Sequence, residues 1–289
     1  MSKYYCLIAG LPDITLEDSK QTYSIAQFRE ELNPILTAKD KKLIDLFYLK
    51  FDNKNLIGFL KNPDSVTDTR GTISNESFDL VYKALKDEEK IPQDLKLPPY
   101  FIKFFQFYLD SEEKGNIETV SWEDRLAALY YAYAMNCGNQ FVKGWFELNL
   151  NINNMLTAIT CRKHGLDKAK YIVGDNEVAK ELRVSNARDF GLADMIEYLP
   201  ALLHISEEED LMVREKKVDL LKWQWLEEHT IFKTFDIESV FAYLLKLEMI
   251  ERWITLDKTT GEKTFRSIVG TMKKGSLNAL DEFKRNNEK

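Results

Sequence analysis

Residues 43–56 read LIDLFYLKFDNKNL, and the pattern returns twice at steps of 99 residues, as VKGWFELNLNINNM at 142–155 and FAYLLKLEMIERWI at 241–254. Six of the 14 aligned columns are apolar in all three copies, those beginning at Leu43, Leu46, Phe47, Leu49, Phe51 and Leu56. In a chain that is 44% hydrophobic, chance supplies about one such column. Only Leu49, Leu148 and Leu247 are identical throughout. The recurrence predicts three similar lobes built on helices, not one compact enzyme core.

Composition supports the helical half of this reading. The 289 residues include only 12 Gly and 7 Pro, the two residues that break helices, while long stretches are rich in Leu, Lys, Glu and Ala. An all-α protein is expected. Aromatic residues make up 12% of the chain and fall on long apolar faces such as Tyr100–Tyr108, which pack against other helices.

Charge and cysteine content exclude several classes of function. Forty basic residues against 47 acidic ones give −7, which argues against a dominant nucleic-acid or anionic-membrane surface. No window approaches 18 apolar residues, so no direct membrane span is expected. The apolar opening within Met1–Leu11 is too short for a signal peptide. Cys6, Cys137 and Cys161 are odd in number and lack CxxC spacing, so unpaired thiols in a reducing cytosol are expected.

Along the chain, Tyr4–Leu11 fits either a short extended segment or a helical start. Ser24–Leu36 reads as a helix that Pro34 kinks or ends. Thr37, with Asp40 three places on, caps the helix that carries the first copy. Asn62–Asn75 is the clearest loop, followed by a short helix from Ser77 to Leu85. Asp87–Pro99 is a connector ahead of an aromatic helix, Tyr100–Leu109. Ser121 opens the longest helical region, bent at Gly138 and Gly144 and closed by Gly165. Further helices are expected over Asp189–Leu203, Leu211–His229 and Ile237–Thr255, the last capped by Asp236. A turn at Thr259–Lys263 leads to a final amphipathic helix.

Residue types that carry chemistry are sparse. His164, His204 and His229 have no metal-ligand spacing, and Cys137 and Cys161 read as small buried hydrophobes on helices. No Walker-A, GxGxxG or GxSxG element occurs, and Gly174-Asp175-Asn176 is a turn. Catalytic, cofactor and metal residues are therefore expected to be none. Asp52 with Asn55, and Asn151 with Asn154, stand three apart on neighbouring helical positions. They could form a polar ligand or partner site. They could equally hydrogen-bond free backbone groups inside a lobe and fix its register, and this second reading is preferred.

Residues 237–254, IESVFAYLLKLEMIERWI, resemble the C-terminal region of the C/d family of A/V-type ATPase central-stalk proteins, the C-type in bacteria and archaea and the d-type in eukaryotic V-ATPases. Tyr243-Leu244-Leu245, Glu248 and Arg252 match its pattern, whereas Trp253 and Ile254 stand where Asn and Leu are usual. Residues 52–56 and 151–155 look like its recurring Asp-x-x-Asn-Leu step. The opening, Tyr4–Asp13, looks like a divergent bacterial branch of unknown-function proteins associated with V-type ATPases. The resemblance implies a funnel-like fold of three pseudo-symmetric helical lobes, with approximate bounds 1–97, 98–196 and 197–289. It also implies a non-catalytic rotor component of the central stalk. Such a protein would have the central shaft and the membrane rotor ring as partners and couple ATP chemistry to ion or proton transport. It would lie in the cytoplasm, peripheral to the inner membrane. A helical scaffold or adaptor unrelated to rotation, and an enzyme with a spatially assembled acidic or His site, are the competing expectations.

Overall fold

The computed structural model describes residues 4–18, 23–92, 95, 97–114 and 120–256. Among them the chain is all-helical, with no strand. The helices are α1 (Tyr5–Gly10), α2 (Ile25–Leu32), α3 (Ala38–Lys61), α4 (Asn75–Lys86), α5 (Pro99–Lys114), α6 (Trp122–Met135), α7 (Gln140–His164), α8 (Glu177–Val184), α9 (Leu199–Ser206), α10 (Leu211–Thr230) and α11 (Ile237–Thr255). Two 3-10 turns, Asn33–Ile35 and Lys168–Lys170, follow α2 and α7.

Local chemistry sets most boundaries. Ser24 and Gln27 form a full capping box at the start of α2, and Pro34 falls in the 3-10 turn that ends it. Thr37 accepts the Asp40 N–H and caps α3, as its spacing predicts. Ser121 caps α6 through the Asp124 N–H. Gly165 closes α7 in the left-handed conformation, φ 64°.

Of the two readings of the opening segment, the helical one holds, over Tyr5–Gly10. Three expectations change. The long region from Ser121 is two helices, because Gly138 turns the chain at φ 76° and Asn139 then caps α7. Gly144 lies within α7 without interrupting it; it lets Trp225 approach to where a Cβ would stand 3.1 Å from the indole. Residues 187–198 are turns, and only Leu199 onward is helical, because Phe190 and Gly191 both take left-handed backbone angles. The expected turn at 259–263 and final amphipathic helix lie outside the described residues.

Contacts group the chain into two units, residues 36–238 and residues 1–35 with 239–289. In the larger unit, α6 packs on both α3 and α7. Phe78 of α4 meets Phe59 of α3 at 6.1 Å and Phe101 and Phe105 of α5 at 5.8 and 6.3 Å, forming an aromatic core. Burying each such ring stabilises the fold by roughly 1.5–3 kcal/mol. Further along, Trp225 of α10 stacks on Phe141 at 5.5 Å and lies 6.0 Å from Trp145, both on α7. In the smaller unit, Phe28 of α2 packs on Tyr243 of α11 at 5.3 Å, and Tyr243 Oη donates to the Pro12 carbonyl. Glu251 of α11 accepts the first N–H of α2, at Ile25, at 2.7 Å.

The three recurring stretches lie on α3, α7 and α11. Five of the six all-apolar columns are buried in every copy; the sixth ends on half-buried Ile254. A seventh column is also buried throughout, and it holds Asp52, Asn151 and Ile250. α3 and α7 bury side chains around most of their circumference, as central helices do.

Candidate functional site

The buried polar residues of the recurrence are the candidates that its chemistry singles out. Asp52 is fully buried on α3, and Asn55, Asn151 and Asn154 nearly so. An ionised or amide group held away from water needs partners, and all four have them.

Asn55 clasps one loop residue from both sides. Its Oδ1 accepts the Asp68 N–H at 2.7 Å, and its Nδ2 donates to the Asp68 carbonyl at 3.0 Å. One turn earlier, Asp52 accepts the N–H groups of Thr72 and Ile73 at 2.6 and 2.9 Å and the Thr72 hydroxyl at 3.1 Å. These two residues enter α4, whose cap is Ser74. Gly71 passes so close that a Cβ there would stand 2.6 Å from Asp52 Oδ1 and 2.7 Å from Asn55 Nδ2. Only glycine fits between the two clasping side chains.

The second copy repeats the device with a different loop. Asn154 Oδ1 accepts the Val173 N–H at 2.9 Å, and its Nδ2 donates to the Val173 carbonyl at 2.8 Å. Asn151 accepts from Asn176 Nδ2 at 2.8 Å, and Asn176 caps α8. Nearby, burial pushes the Tyr198 phenol up to about 12. Both copies therefore consist of a helix, a loop folded back along it, and a capped second helix. The third copy carries Ile250 and Trp253 at these positions, so the Asp/Asn pair is not repeated there.

Electrostatics reinforce the first loop. Arg70 reaches Asp68 through two nitrogens, at 2.9 and 2.6 Å, and its guanidinium lies 4.1 Å over the Phe51 ring. The Arg70 hydrogen bond holds the Asp68 carboxyl down at about 2. A depressed carboxyl contributes stability above its unfolded value near 3.8, and loses it as pH falls toward 2. Asp68→Asn is therefore expected to unfold up to about 1 kcal/mol more easily than wild type at pH 7. Urea titrations between pH 4 and 2 should show that gap closing, and a gap independent of pH would rule the pair out as its source.

The remaining candidates stay apart. His164, His204 and His229 are exposed and stand in the last turns of α7, α9 and α10; His229 stacks on Trp225 at 4.0 Å. Cys161 is buried on α7, where burial pushes its thiol up. Cys137 is not a buried helical residue: it lies half-buried in the turn after α6 and donates to the Asn139 carbonyl. Gly174-Asp175-Asn176 is a turn, with Gly174 at φ 77°. Among the described residues, no three His, Cys, Asp or Glu side chains gather as metal ligands, and no helix is long and apolar enough to cross a membrane.

Sequence reasoning missed a second cluster. Arg162 donates to the carbonyls of Ala187 and Arg188, Lys168 donates to that of Ser185, and both cations lie over the buried Phe190 ring, Arg162 at 3.9 Å. The cluster pins residues 185–190, and burial beside Arg162 lowers the Lys168 ammonium. Its only trace in the sequence is the run of basic residues from Arg162 to Lys170.

Comparison with known proteins overturns the resemblance to the C/d family of A/V-type ATPases. The short matches at 237–254 and at the Asp-x-x-Asn steps are patterns that buried amphipathic helices share, and a match over nearly the whole chain outweighs them. No curated protein and no solved structure matches the chain. Residues 1–276 match one family, described as a protein of unknown function (DUF2764), and the chain belongs to that family.

Proposed function

We propose that the protein is a non-catalytic helical scaffold that holds loops in fixed positions for another protein to bind. One observation carries this reading: the buried polar step that recurs on α3 and α7 is committed to loop backbone and loop caps. Groups saturated in this way are poor acids, bases or ligands, and good fasteners. Stiffness supports the same role, since close-packed helices and interlocked rings compress little. Coupling within a rotary ATPase was implied by a family likeness that no longer stands, and no feature of the helices carries it independently.

The test is isolation of the tagged chain from its own cells, followed by size-exclusion chromatography with light scattering. A complex with a second protein in fixed stoichiometry is expected. A monomer that holds no other chain even at low salt would overturn the scaffold reading.

A further inference from the structure

One face of α10 is open to solvent along its length. Val213, Leu220, Gln224 and Ile231 stand at spacings of seven, four and seven. At about 100° per residue, that puts all four within about 20° of one line along the helix. Ile231 keeps right-handed helical angles, φ −54° and ψ −34°, so the line runs unbroken to it. All four are exposed, Val213 by 42%, Leu220 by 46% and Ile231 by 68%. A single exposed apolar residue is ordinary. Three on one line form a second apolar stripe on a helix that already buries Val218, Leu221, Trp223 and Leu226.

The charges beside this line are ordered. Lys216 and Lys217 flank its first half, and Glu227 and Glu228 flank its last turn. No other charged residue between 213 and 231 falls within about 60° of the line. The acids at 207–210 precede the helix, where Asp210 caps it and Glu208 holds Lys217 at 2.6 Å. Carboxylates in a last turn are opposed by the helix's own dipole, so helix stability does not call for acids at 227 and 228.

The pattern is self-complementary about position 222. Val213 and Ile231 stand nine residues either side of it, Leu220 and Gln224 two, and the lysines and glutamates five and six. A two-fold contact between identical surfaces requires this, because residue i of one copy meets j of the other while j meets i. Antiparallel pairing of two α10 helices about that point sets Val213 against Ile231 of the second copy. Leu220 meets its own counterpart and Gln224. Along one flank Lys216 faces Glu227 of the second copy, and along the other Lys217 faces its Glu228.

We propose that this face of α10 is a docking surface for a second copy of the chain, paired antiparallel about position 222. Val213, Leu220 and Ile231 form the seam, and the lysines and glutamates set its register. The contact is one helix wide and about 27 Å long, which places the dimer in the weak, exchanging class. It adds self-association to the scaffold role and does not depend on that role.

Sedimentation equilibrium of the purified full chain, over a concentration series at low and high salt, reads the association. A monomer–dimer equilibrium that weakens with salt is expected. Lys216→Glu/Lys217→Glu makes both flanks acidic, and Glu227→Lys/Glu228→Lys makes both basic. Each alone should dimerise at least about tenfold more weakly than wild type. Mixed in equal amounts, the two variants should recover dimers as tight as the wild type's, because every flank pair is again opposite in charge. Damage to either fold would not be repaired by mixing. Leu220→Asp, which alters none of the four charges, should also lose the dimer while melting as the wild type does, and it decides the matter if a charge variant fails to fold. A wild-type chain still monomeric at about 1 mM would overturn the surface. So would undiminished dimers in Leu220→Asp, or folded charge variants that associate no better mixed than apart. None of these results would touch the scaffold reading, which concerns a different protein as partner.

Discussion

Asp52→Ala is expected to lower the unfolding free energy by about 3 kcal/mol, because it orphans two backbone donors together. The carboxylate is fully buried and accepts from Thr72 N–H, Ile73 N–H and the Thr72 hydroxyl. Alanine leaves all three without an acceptor and leaves a cavity beside Gly71. A total stability of roughly 5–15 kcal/mol makes this a large fraction of the whole. Asp52→Asn keeps one acceptor oxygen and should cost less than half as much. Equilibrium urea unfolding measures the loss, and hydrogen exchange locates it: amides of residues 68–73 should exchange faster while those of α8 and α9 do not. A variant with wild-type stability would show that the loop is held by something other than the clasp.

Ile250→Asp should be more damaging still, by about 4 kcal/mol or more, although it places an acid in the same column as Asp52. Ile250 is buried on α11 and packs where the other two copies place a polar group facing a loop. In the third copy the neighbouring polar work is done elsewhere: Glu251 accepts from Ile25 N–H and Tyr243 donates to Pro12. A carboxylate at 250 would be desolvated at a position that is buried and apolar in the wild-type protein. Ile250→Val, which removes one methylene, should cost about 1 kcal/mol. Thermal melting of the two variants decides the matter. An aspartate tolerated at 250 would mean that the third copy retains a polar pocket.

The contrast between these substitutions shows where sequence patterns reach their limit. Asp52, Asn55, Asn151 and Asn154 stand out because polar residues interrupt a recurring apolar stripe, and a role in holding backbone follows from their side-chain chemistry alone. Their partners do not. Asn55 reaches 13 residues ahead and Asn154 reaches 19, to loops of different length and sequence. Phe190 is similarly opaque: nothing in its neighbours announces a left-handed phenylalanine held beneath Arg162 and Lys168.

The likeness to a rotary-ATPase component failed for a related reason. Apolar residues at helical spacing with a polar step recur wherever a helix is buried and straps a loop, so a short stretch such as 237–254 cannot separate one helical family from another.

By itself the sequence determined that the chain is helical, where Ser24, Thr37, Ser121 and Gly165 start or stop its helices, and that α3, α7 and α11 bury equivalent columns. Those properties depend on contacts between residues three or four apart, which spacing records. Only the tertiary structure decided that α6 packs on both α3 and α7, and that the buried Asp and Asn side chains of α3 and α7 fasten two unlike loops. Those properties depend on residues dozens of positions apart in sequence, brought together by packing that no local pattern encodes.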